Sequence, residues 1–314
     1  MSGRCWVQRV GRALVNSGDK GVRLSARSVS GQVREWLGQG PSAGRVLSVH
    51  KRVCNTVADC GAVIALVAPE IGDGPLNVVL GDWPGNLSGL LAGMPVAYDS
   101  HRLELYSTAI DLAAARTWEP CPHWGELRKR STEIGAGLKR LAALCWEHTP
   151  DNPLWSALGA PPPGNGRTVL LAARLGEAAQ RLKAGWDGDA RALAEGGAAL
   201  AGLGDGLTPA GDDFLMGAML WAWLAHPAPE RFCRTLAEAA APQTTTLSAA
   251  FLRAAARGQC SAAWQSLLAA LAGDEPAPIA GAARKVLAYG ASSGLDALIG
   301  FLYMSRAPNV VGAP

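Results

Sequence analysis

Gly202-Leu203-Gly204-Asp205-Gly206-Leu207-Thr208-Pro209-Ala210-Gly211-Asp212-Asp213-Phe214-Leu215-Met216-Gly217 reads as a glycine-rich loop running straight into a helix. Thr208 suits the cap position, and Pro209 suits the first helical position, whose N–H has no intrahelical partner in any case. Gly202, Gly204 and Gly206 allow a tight turn and let a ligand approach the backbone. Free N–H groups at such a helix start favour an anion. Asp212 and Asp213 then place two carboxylates in the first turns. Either they complement the helix dipole and bond the loop, or they enter a pocket. In a pocket they would hold a divalent metal, or orient an amide or ammonium group of a ligand. Neighbours on a helix point about 100° apart. The expectation is therefore one carboxylate lining a site and the other supporting the loop. Three glycines exceed what a cap needs, which favours a functional loop. The apolar run Phe214–Ala225 that follows marks a buried helix.

Tyr289-Gly290-Ala291-Ser292-Ser293-Gly294-Leu295-Asp296-Ala297-Leu298-Ile299-Gly300 repeats the pattern. Ser292 or Ser293 can cap the next helix, and Asp296 falls in its first turns. Two such ends converging would make a polar, anion-accepting pocket in an apolar bundle. Gln243-Thr244-Thr245-Thr246-Leu247-Ser248 opens another helix and offers several hydroxyls. Gly72-Asp73-Gly74-Pro75-Leu76-Asn77 reads as a turn into a strand, with Asn77 available to a site between domains.

Outward from these motifs, the chain changes period. Up to about residue 115 it carries short runs of strand formers: Val22–Val29, Arg45–His50, Ala62–Val67, Asn77–Leu80, Ala97–Tyr98 and Leu103–Leu105. Gly and Pro turns separate them, which suggests an antiparallel barrel or sandwich. From about 125 the spacing becomes helical, as in Leu171, Leu175, Ala178 and Leu182. Helices are expected at 124–146 and around 171–182, with a break at Pro161–Gly166 between them. Others are expected at 187–201, 210–225, 229–240, 245–257, 260–272, 277–288 and 294–304. The fold class is α+β, with a β-rich domain at 1–120 and an all-α domain at 121–314.

Composition narrows the function. The 314 residues are 49% hydrophobic and 18% charged, ample for a buried core and unlike a disordered chain. A net charge of +3, with no basic run interleaved with aromatics, argues against nucleic acid. Seven Cys, at 5, 54, 60, 121, 145, 233 and 260, form no CxxC pair. They read as reduced, buried small hydrophobes in a cytoplasmic protein. The five scattered His make no HxxxH, so a zinc site is not expected. Arg4, Arg9 and Arg12 precede no unbroken apolar segment, and no apolar run is long enough to span a bilayer. The 11 Trp read mainly as core filling. There is no GxSxG elbow and no Walker A, and Gly202–Gly206 is a poor dinucleotide fingerprint.

Gly206-Leu207-Thr208-Pro209-Ala210-Gly211-Asp212-Asp213, followed by Leu215 and Gly217, resembles the signature of the oxamate carbamoyltransferase H-subunit family. Support comes from Gly290–Gly300, from Thr246-Leu247-Ser248 with Leu252 and Ala255, and from Gly74-Pro75-Leu76-Asn77. Two positions depart from the pattern. A Ser often stands in the family where this chain has Ala210, so a hydroxyl contact is lost. Position 205 is not reliably acidic there, so Asp205 is a weak candidate for a shared role.

The resemblance implies a part in allantoin and purine nitrogen catabolism, where oxalurate and phosphate give oxamate and carbamoyl phosphate. It implies several different subunits, so the chain would meet a small anionic substrate together with other proteins. Read onto the motifs, catalysis falls to Asp212 and Asp213. Substrate binding falls to Gly204, Gly206, Thr208, Gly211, Ser248, Ser292, Ser293, Gly294, Asp296 and Asn77. Carbamoyl transfer needs no covalent nucleophile. It needs donors for a developing oxyanion and positive charge around phosphate. The helix ends offer donors, but the acidic pair does not suit naked phosphate. A bridging Mg²⁺ would reconcile them, as would a carboxylate holding the substrate's NH₂ groups. Arg174, Arg181, Arg253, Arg257 and Arg284 are candidate phosphate ligands. Two other readings stay open: a non-catalytic scaffold subunit, and a Mg–nucleotide enzyme, since Gly-Asp-Asp occurs in several ATP sites.

Overall fold

The computed structural model describes residues 22–84, 87, 89–149, 151–158, 166–273 and 277–305. Arg4, Cys5, Arg9, Arg12 and the proline break at Pro161–Asn165 lie outside them. The chain divides into two compact units, Met1–Pro120 and Cys121–Pro314.

The first unit is a sheet of nine strands: β1 Val22–Ser30, β2 Ser42–Val49, β3 Val53–Ala58, β4 Val63–Val67, β5 Asn77–Leu80, β6 Pro95–Tyr98, β7 Arg102–Leu105, β8 Thr108–Asp111 and β9 Arg116–Trp118. The order β5-β4-β3-β2-β6-β7-β8-β1 closes on itself through a β1–β5 pairing, which makes an eight-stranded barrel. β9 adds to the far end of β1. A bulge between Ala26 and Ser28 bends β1, so its first half serves β8 and its second half serves β9. Cys54, Ile64, Leu66, Val78, Leu80, Leu103, Leu105 and Ile110 fill the core. A short helix, α1 Gly31–Leu37, sets Trp36 edge-on to Tyr98, with ring centroids 5.3 Å apart.

The expected antiparallel arrangement is corrected here, because the sheet is mixed. β2–β3–β4 and β6–β7–β8 are antiparallel ladders, as their short turns lead one to expect. The pairs β1–β8, β1–β9 and β4–β5 are parallel. Parallel neighbours need a crossover connection, and no local turn in the sequence marks one.

The second unit is helical: α2 Trp124–Lys129, α3 Ser131–His148, α4 Gly166–Trp186, α5 Ala190–Leu200, α6 Ala210–Ala225, α7 Pro229–Ala240, α8 Thr246–Ala256, α9 Ala262–Leu271, α10 Ala277–Leu287 and α11 Ser293–Ser305. The single helix expected at 124–146 is broken at Arg130. Tertiary bonds anchor its first piece: Trp124 Nε1 donates to Gly258 O at 2.9 Å, and Arg128 Nε donates to Trp223 O at 2.8 Å. α6 is buried on nearly every side and is the central helix. Trp221 and Trp264 pack on Phe301 of α11 at 5.2 and 5.4 Å, which places them in the core. Cys54, Cys145, Cys233 and Cys260 are buried free thiols, and burial pushes the Cys54 and Cys145 thiols up to about 12.

α6 and α11 pack backbone against backbone. A Cβ at Gly217 would lie 1.7 Å from the Ala297 carbonyl oxygen, and one at Gly300 would lie 2.0 Å from that of Phe214. Both neighbours are backbone and cannot swing away. Alanine is the better helix former by about 1 kcal/mol, so propensity alone predicts that Gly217→Ala stabilises the protein. The clash predicts the reverse sign, a loss of about 3 kcal/mol or more. Thermal unfolding followed by circular dichroism should show a fall in Tm of roughly 5 °C or more.

Candidate functional site

The Gly202–Pro209 loop is stitched in place before α6 begins. Asp212 is the clamp. Its Oδ1 accepts the Gly202 N–H at 3.0 Å, and its Oδ2 accepts the Thr244 hydroxyl. The Leu207 carbonyl accepts the Thr245 hydroxyl at 2.6 Å and, more weakly, the Ser248 hydroxyl at 3.4 Å. Thr245 caps α8 by accepting the Ser248 N–H at 3.1 Å. Gly204 and Gly206 take positive φ values of 118° and 97°. A Cβ on Gly204 would crowd the Ala210 N–H, whereas Gly206 faces open space. The expected cap at Thr208 is corrected: Pro209 occupies that position and Ala210 is the first helical residue. The Thr208 hydroxyl instead bonds the Ser293 hydroxyl at 2.9 Å.

That bond joins the starts of α6 and α11. Beneath it lie Asp213 and Asp296, each 1% exposed. Asp296 Oδ1 accepts Asn152 Nδ2 at 2.7 Å, but its Oδ2 is buried without a partner. Neither oxygen of Asp213 has a hydrogen-bond partner, although the Thr208 and Ser293 hydroxyls, which bond each other, lie beside it. Burial pushes the Asp213 carboxyl up to about 8. The hydroxyls of Ser293 and Thr208 oppose that shift, and the charges of Asp296 and Asp212 reinforce it. Burial also raises Asp296, against the bond from Asn152 and the influence of the nearby Ser292 hydroxyl. Above the carboxyls the rim is exposed, formed by Gly204–Leu207 and Gly290–Ser292.

The structure thus brings together Thr208, Asp213, Ser292, Ser293 and Asp296, with Ser248 and Asp212 holding the loop behind them. Gly211 and Gly294 are packing glycines, their Cβ positions blocked by the Leu200 and Val286 carbonyls at 2.0 Å. Asn77 belongs to the other unit, where its amide donates to Gly72 O at 2.8 Å and closes the turn before β5. The five candidate arginines are exposed. No group of three or more His, Cys, Asp or Glu suited to a metal occurs among the described residues. The groove of about 380 Å³ beside Lys51, Arg52 and Trp83 belongs to the first unit and contains none of these residues. Sequence reasoning missed Asn152 and its contact with Asp296. The available signal was the Asn-Pro pair at 152–153, a turn in which Asn152 Oδ1 accepts the Leu154 N–H.

Residues 200–305 match the family described as oxamate carbamoyltransferase subunit AllH, and residues 25–117 match the AllH family N-terminal domain. The chain belongs to the AllH family. The two matches cover most of it, and the first contains the whole of the α6–α11 site except Asn152. No curated protein and no solved structure matches the chain. No described helix of this AllH chain is long and apolar enough to cross a membrane.

The raised Asp213 carboxyl couples stability to pH. The folded state keeps its proton up to about pH 8, whereas the unfolded chain releases it near 3.8. Between those values the native state binds the extra proton, so stability falls as pH rises, by up to about 1.4 kcal/mol per unit. Urea midpoints in chelator-containing buffer should be higher at pH 5 than at pH 8. Asp213→Asn should flatten that difference. Asp212→Ala should instead destabilise by about 2 kcal/mol at either pH, because it leaves the Gly202 N–H and the Thr244 hydroxyl unmet.

Proposed function

We propose that this AllH chain is the part of an oxamate carbamoyltransferase that binds a small carbamoyl or ureido anion at the starts of α6 and α11. One observation carries the reading. Inside the segment that matches the subunit family, two helix starts, two half-buried hydroxyls and two buried carboxyls converge on one exposed rim. The reaction is oxalurate plus phosphate to oxamate plus carbamoyl phosphate. A phosphate oxygen forms a bond to the ureido carbon, the C–N bond to the oxamate nitrogen breaks, and a proton passes to that nitrogen. The residues are suited to orientation and to stabilising the carbamoyl oxygen, through the Thr208 and Ser293 hydroxyls and the exposed backbone N–H groups of the loop. Asp213 is the carboxyl proposed to act in the pocket. Asp212 is proposed to shape the loop that carries it. Other subunits complete the enzyme, the work belongs to allantoin and purine nitrogen catabolism, and the setting is the cytoplasm.

The alternative of a purely structural subunit predicts no ligand binding at all. Calorimetric titration of the full chain with carbamoyl phosphate, and separately with oxamate, distinguishes the two. Saturable binding that Ser293→Ala weakens by about tenfold, the value of one hydrogen bond to a charged group, supports the carbamoyl reading. Absence of binding, with partner subunits present as well as absent, overturns it.

A further inference from the structure

Three carboxylate oxygens at the starts of α6 and α11 have no hydrogen-bond donor: Oδ1 and Oδ2 of Asp213, and Oδ2 of Asp296. Their residues come from helices far apart in sequence, yet both are almost fully buried. Unmet buried carboxylate oxygens are costly, and proteins satisfy them with a donor, a proton or a cation. Among the described residues no Lys, Arg or His forms an ion pair with either group. The hydroxyls nearest Asp213, on Thr208 and Ser293, bond each other across 2.9 Å, and the Ser292 hydroxyl lies near Asp296. The side chains placed beside the two carboxyls thus offer hydroxyl oxygens, and the Asn152 amide is already committed to Asp296 Oδ1.

An all-oxygen set with two carboxylates on rigid helices is the chemistry of a hard divalent cation. It is unsuited to zinc, which favours nitrogen and sulfur. We propose that Asp213 and Asp296 bind one divalent cation of the Mg²⁺ class, with the Thr208 and Ser293 hydroxyls supplying further ligands on the side of the exposed rim. Asp212 is not a ligand, since both its oxygens are engaged by Gly202 and Thr244. A cation here would give the pocket positive charge with which to accept a phosphate or carboxylate group. That last step rests on the carbamoyl reading. The cation site itself stands on the buried, unpartnered oxygens of the two carboxyls and the hydroxyl pair beside them.

The test is titration of the full chain with Mn²⁺, following free Mn²⁺ by its electron paramagnetic resonance signal, with Mg²⁺ as competitor. The expected result is one saturable site that Mg²⁺ displaces. Asp213→Asn and Asp296→Asn should each weaken it at least about tenfold, while Asp187→Asn, an exposed carboxylate elsewhere, should leave it unchanged. No saturable Mn²⁺ binding by the unmodified chain overturns the proposal. So does undiminished binding by the Asp213 and Asp296 variants when circular dichroism shows them folded. If those variants do not fold, Ser293→Ala decides: weaker Mn²⁺ binding supports the site, and unchanged binding overturns it. Carbamoyl phosphate and oxamate are then titrated with and without Mn²⁺. Saturable Mn²⁺ binding with no binding of either anion leaves the cation site standing and removes the carbamoyl reading.

Discussion

Gly217 lets α6 rest on the Ala297 carbonyl of α11, and Gly300 lets α11 rest on the Phe214 carbonyl of α6. At that separation no side chain fits between the two helices. Each must present bare backbone to the other, and their angle is set by atoms that do not adjust. The pocket follows from this contact. Because the two backbones are locked together one turn further in, their starts are held side by side, Thr208 meets Ser293, and Asp213 has no way out to water. A looser pair with larger residues would let the first turns part and let solvent reach the carboxyls. Close packing deep in the bundle therefore fixes the electrostatics at its rim.

The two adjacent carboxylates show how differently neighbours fare in such a place. Asp212 faces backward into the loop and finds an N–H and a hydroxyl. Asp213, about 100° further round the helix, faces α11 and finds none. The positive end of the α6 dipole favours both as anions, by an amount on the order of 1 kcal/mol. That is too little to offset the burial of Asp213, whose carboxyl rises to about 8. A group left in this state does not stabilise the fold, and that cost is what supports the proposed role of Asp213 in the pocket.

Much of this was legible in the sequence, for physical reasons that can be named. The span of α6 was readable because Pro209 precedes it and its apolar run ends before His226. α7 was readable because Pro229 opens it. The pairing of the Gly202–Gly217 and Tyr289–Gly300 segments was legible as two similar helix starts. The details that failed were decided by distant partners. Thr208 looks like a cap in its own segment, but its hydroxyl is drawn to Ser293, 85 residues away. Which of Asp212 and Asp213 would be left without a donor depends on where Gly202, Thr244 and α11 lie. Asn152 meets Asp296 across 144 residues, and no spacing announces it. The strand directions failed in the same way: hairpins inside the barrel are local, but its closure is not.

That closure has a consequence for how the chain is made. β1 leads the described chain, yet its ladder partners are β5, β8 and β9, and it pairs with none of the strands that immediately follow it. As synthesis proceeds, β2, β3 and β4 can zip into hairpins as they emerge, while β1 waits with both edges bare. The ring closes only when β8 has arrived, and β9 caps it last. Long-range pairing of this kind is slow and leaves strand edges exposed in the meantime. The first unit is therefore a barrel that a nascent chain cannot close until Asp111, the last residue of β8, has left the ribosome.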